Sequence, residues 1–180
     1  FSSNVNASHI VGGDIFYNYL GNNNYEFHIR LYRDCLSTGA TFDDPLFLTI
    51  YSGPGNQFET TLNVPFPGSV QLPVVFNNPC VTPPTNICTE VAEYVTVINL
   101  PPTPGGYTIS YQRCCRGPNI TNLANPDDTG LTLNCQIPGL ETNEWANSSA
   151  RFNNYPPLLL CNNEDLIFDH SANDPDGDQL

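Results

Sequence analysis

The chain has 180 residues, enough for one well-buried core or for one domain and the start of another. Its 18 acidic residues face five basic ones, Arg30, Arg33, Arg113, Arg116 and Arg151, and the formal net charge is -13. That balance argues against nucleic acid, whose phosphates need clustered cations, and against anionic membrane surfaces, while favouring divalent cations wherever carboxylates converge. No apolar run approaches the ~20 residues of a membrane-spanning helix, and 17 prolines spread along the chain argue against long helices.

In chain order, Phe1 to Ala7 reads either as a remnant of a secretory signal, with Val5-Asn6-Ala7 as a small-residue cleavage pattern, or as an N-terminal strand extension. Ile10 to Leu20 is a β-rich run, and Gly21-Asn-Asn-Asn24 after it reads as a hairpin loop, because Gly and Asn tolerate positive φ. Tyr25, Phe27, Ile29 and Leu31 alternate with Glu26, His28 and Arg30, the period of a strand buried on one face. Leu46 to Tyr51, Phe58 to Val64, Val70 to Phe76 and Val91 to Leu100 are further strand-like runs bounded by Gly, Pro or Asn. Tyr107, Ile109 and Tyr111 restore strict alternation, as do Leu131, Leu133, Cys135 and Ile137. Eight short strands at hairpin spacing predict an all-β fold, an immunoglobulin-like antiparallel β-sandwich over residues 8–145. The composition shifts after Glu144, and residues 147–157 suit a linker or an edge strand. Leu158 to Cys161 and Leu166 to Phe168 are then two short apolar runs, so residues 146–180 are expected to open a second, incomplete immunoglobulin- or cadherin-like sandwich.

Seven cysteines without a C-x-x-C pair fit a chain that folds where disulfides persist, outside the cell or on its surface. Cys35 shares parity with Tyr25 to Leu31, and Cys115 with Tyr107 to Tyr111. Both should face the core, and a Cys35–Cys115 bridge is the favoured pairing. Cys114 then faces the other way. Cys80 and Cys88 flank a proline-bearing loop short enough for a local bridge, which leaves Cys135, Cys161 and an odd cysteine whose partner stays open. A vicinal Cys114–Cys115 bridge is the strained alternative.

Asn173-Asp-Pro-Asp-Gly-Asp178 is the sharpest local motif. Asp174, Asp176 and Asp178 alternate around a tight turn, a spacing that can direct hard oxygen ligands onto one calcium ion or can simply be a solvated turn. Asp43-Asp44 and Asp127-Asp128 are weaker candidates. His9, His28 and His170 are isolated along the chain, no nucleophile with a base can be assigned, and no phosphate loop or metalloprotease motif occurs, so an enzyme is not expected. Trp145 reads as an interface plug in preference to a sugar-stacking platform. Asn6, Asn119 and Asn147 open glycosylation sequons of low specificity in so Asn-rich a chain.

Ser8-His-Ile-Val-Gly-Gly-Asp-Ile, Tyr25-Glu-Phe, Leu31-Tyr-Arg-Asp-Cys35, Gly106-Tyr-Thr-Ile-Ser-Tyr-Gln-Arg-Cys-Cys-Arg116 and Asn119-Ile-Thr-Asn122 together resemble the N-terminal region of very long Bacteroidetes surface proteins. These are gliding-motility-associated, type IX-secreted adhesins with tandem immunoglobulin-like or cadherin-like repeats. The resemblance implies export, a sandwich array and an adhesive or filamentous role, and carries over no catalytic residue. By analogy with cadherin-like turns it makes Asp174, Asp176 and Asp178 calcium ligands, completed from an adjoining segment. The expectation is a structural unit that self-associates end to end, with strands donated between subunits. The alternative is a calcium-dependent carbohydrate-binding or cell-adhesion module with a glycan or cell-surface ligand.

Overall fold

The structure, a computed structural model, describes residues 10–74, 84–117, 120–155, 157–160, 163 and 165–179. The proposed signal remnant, Cys80, Cys161 and Asn119 lie outside the described residues. Eight strands build two antiparallel sheets: β1 (Ile10–Gly21), β2 (Asn24–Asp34), β3 (Leu46–Ser52), β4 (Gln57–Val64), β5 (Val70–Gln71), β6 (Thr89–Asn99), β7 (Tyr107–Arg113) and β8 (Leu131–Ile137). One sheet has the order β1-β2-β6-β5 and the other β4-β3-β7-β8. These are the A-B-E-D and C′-C-F-G orders of an immunoglobulin sandwich. A two-residue pair, β9 (Arg151–Phe152) with β10 (Ala172–Asn173), lies in the C-terminal segment.

Alternation produces the core directly. In β2 every second residue from Tyr25 to Arg33 is buried, and Tyr25, Phe27, Ile29 and Leu31 meet Leu46, Leu48, Ile50, Ile109 and Tyr111 of the other sheet. Burying each such side chain contributes about 1.5–3 kcal/mol. Arg33 is buried at the same parity because loop carbonyls receive its guanidinium: Ala40 O at 3.1 Å, Ser37 O at 3.0 Å and Gly39 O at 3.1 Å, with Glu90 Oε1 at 2.7 Å. The Gly21–Asn24 loop is the expected hairpin, with Asn22 and Asn23 both at positive φ, as a type I′ turn requires.

Tyr107 completes the immunoglobulin likeness. At the start of β7 its hydroxyl donates to Pro101 O at 2.7 Å, six residues upstream, which is the tyrosine corner of that fold. Two residues later, where antibody domains place a cysteine, stands buried Ile109. The inter-sheet position is filled by aliphatic packing.

Four sequence expectations are corrected here. The Cys35–Cys115 bridge does not form: Cys35 is bonded to Cys88 and Cys114 to Cys115. Strand parity cannot be extended to either residue, because β2 ends at Asp34, whose carboxylate accepts the Leu36 N–H at 2.9 Å in a turn, and Cys115 takes φ 81° beyond the end of β7. The β2–β6 register sets Asp34 opposite Thr89, so Cys35 falls opposite Cys88, and its N–H donates to Cys88 O at 3.2 Å. Cys88 is therefore not available to Cys80. The strand expected from Val70 to Phe76 stops at Gln71, with only Leu72 N–H adding a bond to Thr89 O, since Pro73 has no donor to continue the ladder. Finally, Leu158–Leu160 and Leu166–Phe168 form no strands.

The two lateral seams of the sandwich differ. On one side β1 packs on β8, with Tyr17 OH donating to Gln136 O at 3.0 Å. The outer edge of β1 is covered by the segment after Trp145: Ser149 N–H donates to Tyr17 O (3.0 Å), while Tyr17 N–H donates to Ser149 Oγ (2.8 Å) and Tyr19 N–H to Ser148 Oγ (3.1 Å). On the other side β5 pairs only with Glu90 and Val91, and the edge of β6 from Ala92 to Asn99 has no strand partner among the described residues.

Candidate functional site

The open seam between β6 and β4 is the first candidate, an interface in strand form. Thr60 of β4 pairs with buried Ile50 and shares its inward face, yet is exposed, and Ile98 of β6 is only partly covered. Ile50, Thr60, Ile98, Leu100, Pro101 and Tyr107 line a cleft of about 280 Å³. Its charged side chain is Glu59, whose carboxylate accepts a hydrogen bond from Ser52 Oγ. On the outer faces beside it Val95 and Val97 of β6, Phe47 of β3 and Phe58 of β4 stand exposed, Phe58 at 65%. An unpaired strand edge with apolar flanks is a template for another strand.

The acidic turn is the second candidate, and it lies against the sandwich. Asp174 Oδ1 accepts the N–H groups of Asp176 at 2.8 Å and Asp178 at 3.4 Å, which closes the turn around Gly177. Asp176 Oδ2 accepts the Ser148 N–H at 2.5 Å, tying the turn to the segment that covers β1. Next to Ser148, Asn147 Oδ1 is buried without a hydrogen-bond partner. Hard oxygens of the kind calcium prefers are thus present, but among the described residues no three His, Cys, Asp or Glu side chains are grouped to hold a metal ion. The donors fit calcium in kind and fall short of its six to eight oxygens in number. The same surroundings act on Tyr17, whose phenol is pushed above its ordinary range chiefly by burial, with smaller contributions from Cys135, Tyr25, Asp176 and Asp174. Trp145 stands edge-on to Tyr19, with centroids 6.1 Å apart, and its carbonyl accepts the Tyr25 hydroxyl.

A third cluster was not foreseen. His28 is isolated along the chain but not in space: its Nδ1 lies 2.7 Å from Glu93 Oε1 and its Nε2 2.9 Å from Glu26 Oε1, while its ring stacks on Phe16 at 4.7 Å. Arg30 is held by Asp14 at 2.6 Å and lies over both the Phe16 and Tyr155 rings, 4.7 Å from each centroid. Arg151 approaches Phe16 from the tail at 5.0 Å. Burial raises the Asp14 carboxyl against the lowering effect of Arg30. The outward parity of Glu26, His28 and Arg30 was visible in the sequence. Their partners come from β1, β6 and the tail, and only register brings them together. Because the two carboxylates sit on opposite nitrogens of one ring, they do not converge on a common point, and the cluster clamps the tail to the sheet.

Of the other cysteines, Cys135 carries a free thiol facing inward on β8, and burial pushes it up to about 12. Asp43 receives the Tyr111 hydroxyl at 2.6 Å and Arg113 at 2.8 Å, and its backbone carbonyl receives Tyr94 OH at 2.6 Å. It thus ties Tyr94, Tyr111 and Arg113 together. Asp128 closes the one-turn 3-10 helix Pro126–Asp128. No helix among the described residues is long and apolar enough to cross a membrane.

No family model, curated protein or solved structure matches the chain. The class defined here is therefore that of the fold: an all-β, disulfide-containing antiparallel sandwich of immunoglobulin topology.

Proposed function

We propose that this chain is a structural building block of an extracellular bacterial filament or large surface adhesin, assembled through its sandwich edges. The observation that carries the reading is the open β6–β4 seam, an acceptor without a further strand among the described residues, in a chain whose tail exposes apolar residues. Leu158, Leu160, Leu166 and Ile167 are all exposed, Ile167 at 97%. Donor and acceptor in one molecule support exchange between copies, since a strand laid along β6 satisfies the edge and buries Ile98 and Thr60. The disulfides are compatible with an extracellular location. No catalytic role is assigned to any residue.

The test is sedimentation velocity over a wide concentration range, comparing the native chain with a variant carrying serine at positions 158, 160, 166 and 167. Concentration-dependent growth that the variant loses is the expected result. Equal growth in both, or a native chain that stays monomeric throughout, would remove strand exchange.

A second reading, calcium-dependent adhesion or glycan binding, is favoured by the unpartnered Asn147 oxygen beside the Asp176 tether. Here Asp174, Asp176, Asp178 and Asn147 supply the oxygens, and the remainder come from an adjoining segment. Calcium is expected to raise the melting temperature and Asp176→Asn to abolish the rise. A flat calorimetric titration would eliminate this reading.

A further inference from the structure

The two disulfides among the described residues differ in their surroundings. Cys35–Cys88 sits in register at the end of the β2–β6 ladder, with both residues half-buried and a backbone hydrogen bond across the pair. Cys114–Cys115 joins neighbours with Cα atoms 3.7 Å apart, beyond the end of β7. Its two sulfurs belong to unlike surroundings: Cys114 is exposed, whereas Cys115 is buried at 8% and held at φ 81°, a backbone region that side chains other than glycine seldom adopt. The next residue is a junction. Arg116 N–H is shared between Pro126 O (3.1 Å) and Thr129 O (3.0 Å), Arg116 bridges in parallel to Ile10, and its guanidinium donates to Val11 O at 2.9 Å.

We propose that Cys114–Cys115 is a thiol–disulfide exchange site for a small external thiol, and that opening it loosens the hold of Arg116 on the start of β1. Exposure directs attack to Cys114. An external thiolate bonds to its Sγ, the Cys114–Cys115 bond breaks, and the electron pair leaves on Cys115 Sγ, which solvent protonates. A second external thiolate attacks the sulfur of the first, releasing the small-molecule disulfide and the Cys114 thiolate. Two thiols are thus oxidised as one protein disulfide is reduced, and the small disulfide drives the reverse. Once open, Cys115 is free to leave positive φ, and the direction of the chain into Arg116 changes with it. Cys135 does not compete as an internal attacker, because its buried thiol stays protonated near neutral pH.

The experiment incubates the full chain with reduced glutathione at graded concentrations, quenches with acid and an alkylating agent, and maps each cysteine by mass spectrometry; hydrogen exchange is followed in parallel. Modification at Cys114 is expected to precede opening of Cys35–Cys88 by at least about tenfold, as for an exposed against a structural bridge. Exchange at the Arg116 amide should rise while the β2–β6 amides hold. The same order is expected in Cys135→Ser. Equal opening rates, alkylation of Cys114 and Cys115 before any reductant is added, loss of the effect in Cys135→Ser, or unchanged exchange at Arg116 would each overturn the proposal. None of these readouts depends on self-assembly.

Discussion

Most tyrosine hydroxyls in this core end on loops, and that of Tyr17 ends on β8. Tyr107 reaches Pro101 O, Tyr94 reaches Asp43 O, Tyr111 reaches the Asp43 carboxylate and Tyr17 reaches Gln136 O. Each ring supplies apolar area, and its buried oxygen needs a partner, so the same residue fills the core and fixes the connection beside it. Tyr107→Phe retains the ring and removes one hydrogen bond; urea unfolding should show a loss of about 1 kcal/mol. Ionisation at the outer face gives a second test. Glu26 is held below the ordinary carboxylate range by hydrogen bonds from His28 and then Asn18. Its stabilising contribution is complete above the unfolded value of about 4.3 and is lost as pH falls through the lower folded value. Glu26→Gln should therefore flatten the acid side of a stability–pH curve measured by urea midpoints between pH 6 and 3. Asp14 acts in the opposite sense: burial raises it, so its contribution is present in acid and lost as pH rises through the folded value.

At the scale of the element, Cys35–Cys88 closes a separation of 53 residues that includes β3, β4 and β5. Loop-closure entropy values such a link at about 4 kcal/mol, and replacing both cysteines by serine should lower the denaturation midpoint accordingly. The same bridge marks where reading strands from the chain alone succeeds and where it fails. Alternation located β2, β7 and β8 with nearly their observed limits, because each has one face in the core and the period of two is a property of the strand itself. Pairing is a property of two strands. Nothing local to Cys35 or Cys88 says that β2 lies beside β6, so extending parity past Asp34 sent Cys35 into the core, when register sets it against Cys88. His28 with Glu26 and Glu93, and Arg30 between Phe16 and Tyr155, were out of reach for the same reason. The acidic turn was legible as a turn, with Asp174 closing it as the Pro and Gly spacing implies, but its grip on Ser148 joins residues 28 apart and has no local signature.

For the whole molecule, a formal charge of -13 works against any contact between copies. The seam reduces that penalty, since Tyr94 to Leu100 carries no acidic or basic residue. Self-association through it should therefore strengthen as salt rises from about 0.01 to 0.15 M and the screening length falls from roughly 30 to 8 Å, a trend that light scattering at fixed protein concentration can follow. Association that weakens with salt would point instead to ion pairs at the contact.

The bonds from Ser148 and Ser149 to the edge of β1 also decide how the molecule answers a pull. Tension applied beyond residue 173 meets the Asp176–Ser148 contact and the short β9–β10 pair first, then the Tyr155–Arg30 and Arg151–Phe16 contacts, and last a handful of bonds onto Tyr17 and Tyr19. These few bonds can open one at a time like a zip, whereas the long β1–β2 ladder would have to shear at once. Residues 150–179 would unspool ahead of the sandwich, reaching about 100 Å at full extension. Such a tether would take up a sudden load while the eight-strand body, stapled at Cys35–Cys88, kept its shape.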